Sequence, residues 1–470
     1  MSNAERKVDV LVLGATGFTG RLIAQYLATH SQKQLFVLGL GARSEEKLKQ
    51  VADELGIANK VDEFVNVDVK DKASVERAVK RTRVVINVVG PYWHYGTPVV
   101  DACVRNQVHY VDLCGESTWM RQIILQYDFA ASRNRTIIVP ACGYDSVPSD
   151  IVAWLANKTL KSYASLKRPG EQFIGIRSSI SAQRPKGGFS GGTAASGMAM
   201  LEDTPKEVRR AALVPYSLSP VEGGKQQRPK LVYELSVPSL DTIVGAFWFM
   251  RTANVWVVQR TFGLIEALGK EVHGSAISTS ERKAQVDQMR YGPNFMYDEF
   301  MEQPSKLTAM FTSTFLFLGI AMVSLFSPVR WLVKKMLPQS GEGPSEEERK
   351  KGSFTITNVT TSDSTPPINV TTIMTGQGDP GYASTCIMIS ECALSLLLSP
   401  HAYKGTPTSE LTDVFRPTEF ARQGGVLTPM TAFGEDLITR LCETAKFTFA
   451  SYVTEGKEKV HGALEAKKDI

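Results

Sequence analysis

The sequence is poor in the residues that would mark it as a disulfide scaffold or a metalloprotein. It has six cysteines in 470 residues, at positions 103, 114, 142, 386, 392 and 442, with no CxxC pair and no regular spacing. Most lie in apolar surroundings, where a reduced thiol behaves as a small hydrophobe. There are also only six histidines. His94 and His109 fall near strand-like runs, but each has an easy packing or surface role, and no metal site is expected. The N-terminal Met-Ser-Asn-Ala-Glu-Arg-Lys has no apolar signal region, so a reducing, cytosol-facing setting is the expectation. Charge of one sign is missing too. A net charge of +5 is small for this length; it gives no reason to expect nucleic acid, although it suits an anionic cofactor or an anionic lipid surface. No internal repeat is present.

What remains is a folded, globular composition, 43% hydrophobic and 21% charged, in a chain long enough for two or three lobes. From Val8 to Pro148, short β-branched runs alternate with amphipathic stretches. The runs are 8–13, 35–40, 63–67, 84–89, 109–113 and 136–139; the helix-like segments are 20–29, 44–55, 72–79, 98–106 and 118–132. Runs that are apolar on both faces and separated by helices predict a Rossmann-type doubly wound parallel sheet.

Beyond 155 the regularity breaks. Strand-like segments at 172–182, 228–238, 354–360 and 368–375 mix with helix-like ones at 204–212 and 255–268, predicting an α+β domain with a largely antiparallel sheet. The expected division is a nucleotide-binding domain over 1–150 and a substrate or dimerisation-type domain over 151–378. C-terminal helices over 379–455 then return to the first domain, and 456–470 is expected to be a loose tail. The charged stretch 341–351 reads as a solvated linker, and a homodimer is one expected assembly.

The loop Gly14-Ala-Thr16-Gly17-Phe18-Thr19-Gly20 follows the first strand and opens a helix, the setting in which a glycine-rich motif becomes evidence for a dinucleotide. Gly14 permits the sharp turn, Gly17 lets backbone N–H groups approach a pyrophosphate, and Gly20 allows close helix–strand packing. At the end of the second strand, Gly41-Ala-Arg43-Ser44 places no carboxylate before Glu45. Arg43 offers a planar fork for a 2′-phosphate, with Ser44 and Lys47 beside it, so NADP is favoured over NAD. The plain alternative for Arg43 is a solvated surface residue. Asp68, after the third strand, suits the adenine amino group or a helix cap. Gly90-Pro91-Tyr92 closes the fourth strand, where ligands lie in open α/β sheets, or simply makes a β-turn.

For chemistry, no Tyr-x-x-x-Lys pair supports a short-chain dehydrogenase relay. The best candidate is Cys142-Gly-Tyr144-Asp145-Ser146-Val-Pro148, past the sixth strand at the cofactor edge. Tyr144 is a candidate proton donor and Asp145 a candidate to orient it, against the plainer reading of a helix-capping turn. Tyr92 is a second proton-donor candidate. The loop 186–193 (KGGFSGGT) is a candidate cover over substrate, and 424–429 (GGVLTP) a candidate cleft lining.

These motifs together resemble the saccharopine dehydrogenase-like oxidoreductases. The matching stretches are GATGFTG (14–20), GARS (41–44), VVINVVGPYWHYGTPVV (84–100) and HYVDLCGE (109–116). ACGYDSVPSD (141–150), GGT (191–193), DPGY (379–382) and GGVLTP (424–429) continue the series. The resemblance implies an NADP-binding Rossmann domain, a long inserted second domain and oxidoreductase activity. It does not imply lysine metabolism, since the family includes trans-acting enoyl reductases of mycobacterial glycolipid synthesis and eukaryotic lipid-droplet-associated proteins, the group this chain is most similar to.

One long apolar run remains. Residues 307–326 (LTAMFTSTFLFLGIAMVSLF) carry no charge, and at about 1.5 Å per residue would span about 30 Å as a helix. A full crossing would separate the C-terminal elements from the sheet they complete, so a hairpin bent near Ser327-Pro328 and inserted into one leaflet fits better. The basic stretch Arg330-Trp-Leu-Val-Lys334-Lys335 that follows suits an interface. A buried core helix is the alternative. The C-terminal Lys467-Lys468-Asp-Ile470 resembles a retrieval signal for the endoplasmic reticulum.

The expectation is therefore an NADP(H)-dependent oxidoreductase acting on a lipid-like small molecule at a cytosol-facing membrane or lipid-droplet surface, with a cytoplasmic location as the alternative. The competing readings are a non-enzymatic nucleotide-binding scaffold on membranes, and a soluble saccharopine-type dehydrogenase. The last would need a cationic pocket for an amino-dicarboxylate, and no convincing Arg/Lys cluster appears near the motif loops.

Overall fold

In the computed structural model, which describes residues 6–168, 173–187, 191–336, 343–401, 418–455 and 458–464, the chain builds two sheets. The first is parallel throughout. Its strands are β1 (Val8–Leu13), β2 (Leu38–Ala42), β3 (Glu63–Asn66), β4 (Thr82–Asn87), β5 (His109–Asp112), β6 (Ile137–Val139) and β13 (Gly425–Val426). They lie in the order β13-β6-β5-β4-β1-β2-β3. The order reverses beside β1, so a crevice opens at the carboxyl ends of β1 and β4, where such sheets bind ligands. Helices α1 (Phe18–Ala28), α2 (Glu45–Glu54), α3 (Lys72–Lys80), α4 (Tyr92–Asn106) and α5 (Ser117–Arg133) connect these strands. They cover both faces, which is why β1 and β4 are buried almost end to end.

The second sheet gathers distant pieces. Its strands are β7 (Ile176–Lys186), β8 (Tyr233–Leu235), β9 (Ile243–Ala246), β10 (Tyr297–Glu302), β11 (Ser353–Ser362), β12 (Asn369–Gln377), β14 (Phe447–Glu455) and β15 (Glu458–Leu464). Their order is β15-β14-β12-β11-β7-β10-β9-β8, antiparallel except where β10 runs alongside β7. Around it lie α6 (Val147–Lys167), α7 (Gly191–Glu202), α8 (Lys206–Ala212), α9 (Arg251–Gly274), α10 (Ser280–Asp287), α11 (Lys306–Leu325), α12 (Ser327–Met336) and α13 (Glu346–Lys351). The C-terminal helices are α14 (Thr385–Leu394), α15 (Glu419–Gln423), α16 (Pro429–Phe433) and α17 (Glu435–Glu443).

Two expectations need correcting. Residues 458–464 are no loose tail: they form β15, which closes the edge of the second sheet by pairing with β14. The solvated linker at 341–351 contains a helix from 346 onward, started by a capping box between Ser345 and Glu348. Residues 188–190 of the glycine-rich loop and the Lys467–Ile470 terminus lie outside the described residues.

Buried charge joins the C-terminal helices to the first sheet. Glu391 of α14 and Arg440 of α17 pair at 3.0 Å, each side chain only 2% exposed. Around them His30 Nε2 lies 3.0 Å from Glu391, and the Tyr26 hydroxyl donates to the same carboxylate at 2.5 Å. Burial pushes the Glu391 carboxyl up, but the His30 hydrogen bond, the Arg440 charge and the Tyr26 hydroxyl outweigh it and hold the group below its ordinary range.

The long apolar helix is not a core helix. Only 11% of its most apolar window is buried, at a mean hydropathy of 1.8. One narrow stripe holds it to the second sheet: Ser313 accepts from the Phe247 N–H at 2.8 Å and donates to the Leu231 carbonyl at 2.6 Å, and Phe317 stacks on Phe247. Phe311, Phe315, Leu318 and Leu325 project into solvent. The helix ends at Phe326 and the chain turns directly into α12.

Candidate functional site

Glycine sterics shape the turn after β1. Gly14 adopts φ +86°, in the left-handed region that glycine tolerates. A Cβ on Gly20 would run into the Gly14 carbonyl, so only glycine lets α1 start this close to β1. Gly17 is exposed at the N-cap, and no side chain caps α1. The neighbouring helices differ: Ser44 caps α2 and Asp71 caps α3. The first-turn N–H groups of α1 thus face the crevice ready for an anion, with the helix dipole favouring negative charge. Thr16 and Thr19 are half-buried beside them. The Phe18 ring is held away from the turn, edge-on to Tyr382 at 5.2 Å and under the Arg349 guanidinium.

Arg43, at the end of β2, is exposed, and its guanidinium pairs with none of the described residues. Ser44 is more committed: its hydroxyl accepts from the Lys47 N–H at 3.2 Å and donates to Glu46 at 2.9 Å. Asp68 folds its own loop by accepting from the Lys70 N–H at 3.0 Å, leaving the cap of α3 to Asp71. Beside it an open cavity of about 490 Å³ is lined by Val69, Lys70, Lys72, His94, Tyr95 and Pro98, a place for the adenine end of a dinucleotide. These residues fit NADP: an uncapped helix for the pyrophosphate, a free guanidinium for the 2′-phosphate and a cleft for the base. Replacing Arg43 by Ala is expected to weaken NADPH binding about 10–100-fold, the loss of a charge-assisted fork, and to leave NADH binding unchanged. Fluorescence titration with both nucleotides checks this; equal losses for the two would remove the assignment.

Polar residues at the strand ends hold the next loops. Asp112, buried at the end of β5, accepts from the N–H groups of Cys114 (2.8 Å) and Ala141 (3.0 Å) and from the Tyr110 hydroxyl (2.8 Å). Burial pushes its carboxyl up to about 7 despite those donors. Ala141 sits at φ +61°, a strained position for a residue with a Cβ, and the Asp112 bond helps hold it there. Asn87 supports the loop after β4 through the Val89 N–H. Glu116 receives the N–H groups of Tyr92 and Trp93, both at 2.8 Å, and so caps α4 with a carboxylate.

That arrangement corrects the expectation for Tyr92. Its hydroxyl donates to the Asn87 carbonyl at 3.0 Å and accepts from the Leu113 N–H at 3.1 Å, while its ring packs on Trp119. Its hydroxyl is not a free proton donor. Gly90 is exposed, with Pro91 after it at the N-cap of α4. A Cβ on Gly90 would meet nothing nearer than Ser196 Oγ at 3.6 Å, so the position leaves room for a ligand without demanding glycine.

Asp145 and Tyr144 part company. The Tyr144 ring packs on Phe354 at 4.9 Å and its hydroxyl points into the second sheet, 3.4 Å from Gln183 Oε1. Burial pushes the phenol well above 10. No hydrogen bond joins it to Asp145, so Asp145 does not orient it. Asp145 instead points toward Gly115, its Oδ2 lying 3.7 Å from where a Gly115 Cβ would be. The carboxyl is half-buried, it has no hydrogen bond or ion pair among the described residues, and burial alone pushes it up to about 6. It is a desolvated acid at the rim of the crevice, able to carry a proton near neutral pH.

Behind Tyr144 lies a buried carboxylate absent from the sequence-based candidates. Glu299 accepts from Ser149 (2.8 Å), Gln183 (3.0 Å), Asn254 (2.7 Å) and Tyr297 (2.9 Å). Saturated by four donors, it is a packing hub that fixes α6, α9, β7 and β10 beneath the crevice. The local signal is Met296-Tyr-Asp-Glu-Phe-Met301, two acids inside an apolar run, a pattern that does not read as a strand.

Comparison with known proteins finds relatives along most of the chain. Residues 10–139 match the model for the saccharopine dehydrogenase NADP binding domain. A Mycobacterium tuberculosis protein named "putative trans-acting enoyl reductase" is 30% identical over 455 residues, covering 94% of this chain and 97% of its own. The trans-acting enoyl reductase of Mycobacterium ulcerans is 29% identical over 453 residues, covering 94% and 98%. Among solved structures, the saccharopine dehydrogenase (L-Glu forming) of Saccharomyces cerevisiae aligns over 95% of this chain and 100% of its own, at 12% identity and a TM-score of 0.48.

Proposed function

The chain belongs to the trans-acting enoyl reductase family and is an NADP-dependent oxidoreductase, and on that footing we propose that it reduces an enoyl group, a carbon–carbon double bond conjugated to a carbonyl, on a lipid-like substrate at a membrane surface. When bound, NADPH supplies the hydride, which adds to the β carbon. The resulting enolate needs one proton at the α carbon, and Asp145 supplies it. The observation that carries this reading is the Asp145 carboxyl, partnerless among the described residues, half-buried and raised to about 6 beside the Gly115 turn. Its conjugate base is recharged from solvent between turnovers, so protons balance with one NADPH consumed per double bond. Asp112, Glu116 and Asn87 act as positioning residues, fixing the loops that present the acid.

The membrane half of the proposal is supported by α11 and α12. Twenty residues with an exposed apolar face, followed by a turn and a basic helix carrying Trp331, Lys334 and Lys335, suit a hairpin lying in one leaflet of a cytosol-facing membrane or droplet surface. The test is NADPH consumption with an α,β-unsaturated acyl ester carried in phospholipid vesicles. The full chain is expected to consume it, and a Phe315→Asp/Leu318→Asp variant to lose vesicle binding and that turnover while keeping NADPH affinity. Equal turnover by the variant would remove the membrane; no turnover by either would remove the enoyl substrate.

A further inference from the structure

Helix α7 connects the cofactor edge to the basic helix. Ser196 Oγ of α7 lies 3.6 Å from where a Cβ on Gly90, past the end of β4, would be. The residue after the helix, Asp203, pairs with His94 in the first turn of α4 at 3.0 Å. At its C-terminal end Glu202 contacts the Lys334 ammonium directly and lies 3.5 Å from the Arg330 guanidinium. Over its described side chains little else holds it down: the Arg209 guanidinium donates to the Leu201 carbonyl at 2.8 Å, and from 196 to 202 only Ala199 is buried. Segments with so few buried contacts are the first to move.

The two α12 cations that meet Glu202 are not equivalent. Arg330 is fixed by donating to the Val323 and Ser324 carbonyls at 2.9 and 3.0 Å and to the Ser327 hydroxyl at 2.8 Å, closing the end of α11. Lys334 has Glu202 as its sole partner among the described residues and is half-exposed. An anionic lipid surface offers that ammonium many phosphate oxygens in place of one carboxylate, and the same surface repels Glu202.

We propose that Glu202 and Lys334 form a latch that holds α7 over the cofactor edge in water and is released by anionic lipid. This rests on the membrane reading above. With the latch closed, the nucleotide-competent population is a fraction of the total, so apparent NADPH affinity is lowered by that fraction. Exposed ion pairs are individually weak, which limits the gain on release to about threefold to tenfold.

The experiment is an NADPH fluorescence titration of the full chain without vesicles, with phosphatidylcholine vesicles, and with vesicles also containing phosphatidylserine, with flotation of the same samples. The wild type is expected to float with the anionic vesicles and to bind NADPH about threefold to tenfold more tightly there. Glu202→Gln and Lys334→Gln are each expected to show the tighter affinity without vesicles and no further gain with them, while Glu202→Gln still floats. If the wild type floats but its affinity does not change, and Glu202→Gln matches it, the latch is overturned and the membrane reading stands. If the wild type does not float, the membrane reading falls and the latch with it.

Discussion

Asp145→Asn is expected to lower kcat by about 10²–10⁴-fold, the usual loss when a positioned proton donor is removed, with NADPH affinity unchanged. The expectation follows from the position of the residue. Asp145 makes no bond among the described residues that holds the fold together, so the amide fits the same space and the loop keeps its shape. It also lies away from the α1 turn and Arg43, so nucleotide binding has no reason to change. What the amide lacks is an acidic proton. The pH dependence gives a second, independent sign. A carboxyl raised to about 6 carries its proton below that value and loses it above, so kcat/KM falls as pH rises through about 6, and this falling limb vanishes in Asp145→Asn. Tyr144→Phe serves as the contrast. The phenol points into the second sheet, and its loss is expected to leave the pH profile intact. If Tyr144→Phe removed activity and Asp145→Asn did not, the proton would come from the phenol and not from the carboxyl.

Glu391→Ala is expected to destabilise the protein by about 3–5 kcal/mol, because it strands the Arg440 guanidinium in a fully buried site. Arg440 keeps the Gln32 side chain and the Leu398 carbonyl as acceptors but loses the carboxylate charge opposite it. The same carboxylate also receives Tyr26 and His30 from α1 and its following loop, so the C-terminal helices and the nucleotide-binding sheet loosen together. The native carboxyl lies below its ordinary range, so its contribution is present at neutral pH, above the unfolded value, and is lost as pH falls through the folded one. Chemical denaturation at neutral and acid pH measures both effects. A variant with wild-type stability at neutral pH would mean that the pair does not join the two parts of the fold.

Legibility in the sequence followed the physics of each sheet. The parallel strands announce themselves because helices cover both faces, and runs such as Val8–Leu13 have no polar side to confuse the pattern. The second sheet is legible only in part: the strand-like segments 172–182, 228–238, 354–360 and 368–375 fall on β7, β8, β11 and β12, whereas β9, β10, β14 and β15 carry no such signal. On β7 and β11 the buried residues include Ser179, Ser181, Asn358 and Thr360, which satisfy one another by hydrogen bonds at 2.8–3.0 Å. Hydrophobic periodicity marks these segments as strands but does not foretell that their buried face is made of hydroxyls and amides. β9, four residues long, is too short to show a period.

At the site, backbone chemistry was more readable than side-chain chemistry. The glycines at 14, 17 and 20 act through sterics that follow from spacing alone. Tyr92 and Ser44 look available in the sequence, yet their hydroxyls are spent on bonds to Asn87, Leu113, Lys47 and Glu46. Asp145 differs from them only in what fails to surround it, which no local pattern encodes. The exposed face of α11 is similar: its composition fits a buried core helix as well as an exposed one, and only its packing on a single stripe shows that it is exposed.

The proposed hydride delivery from NADPH to the β carbon of a lipid-borne enoyl group can be followed atom by atom. The most direct measurement uses NADPH carrying deuterium at both nicotinamide C4 positions with an α,β-unsaturated acyl lipid in anionic vesicles, followed by mass spectrometry of the lipid. The expected product is saturated and carries a single deuterium, located at the β carbon, with the α proton drawn from solvent. NADPH that binds to the Arg43 site but transfers no label to any enoyl lipid would contradict this chemistry.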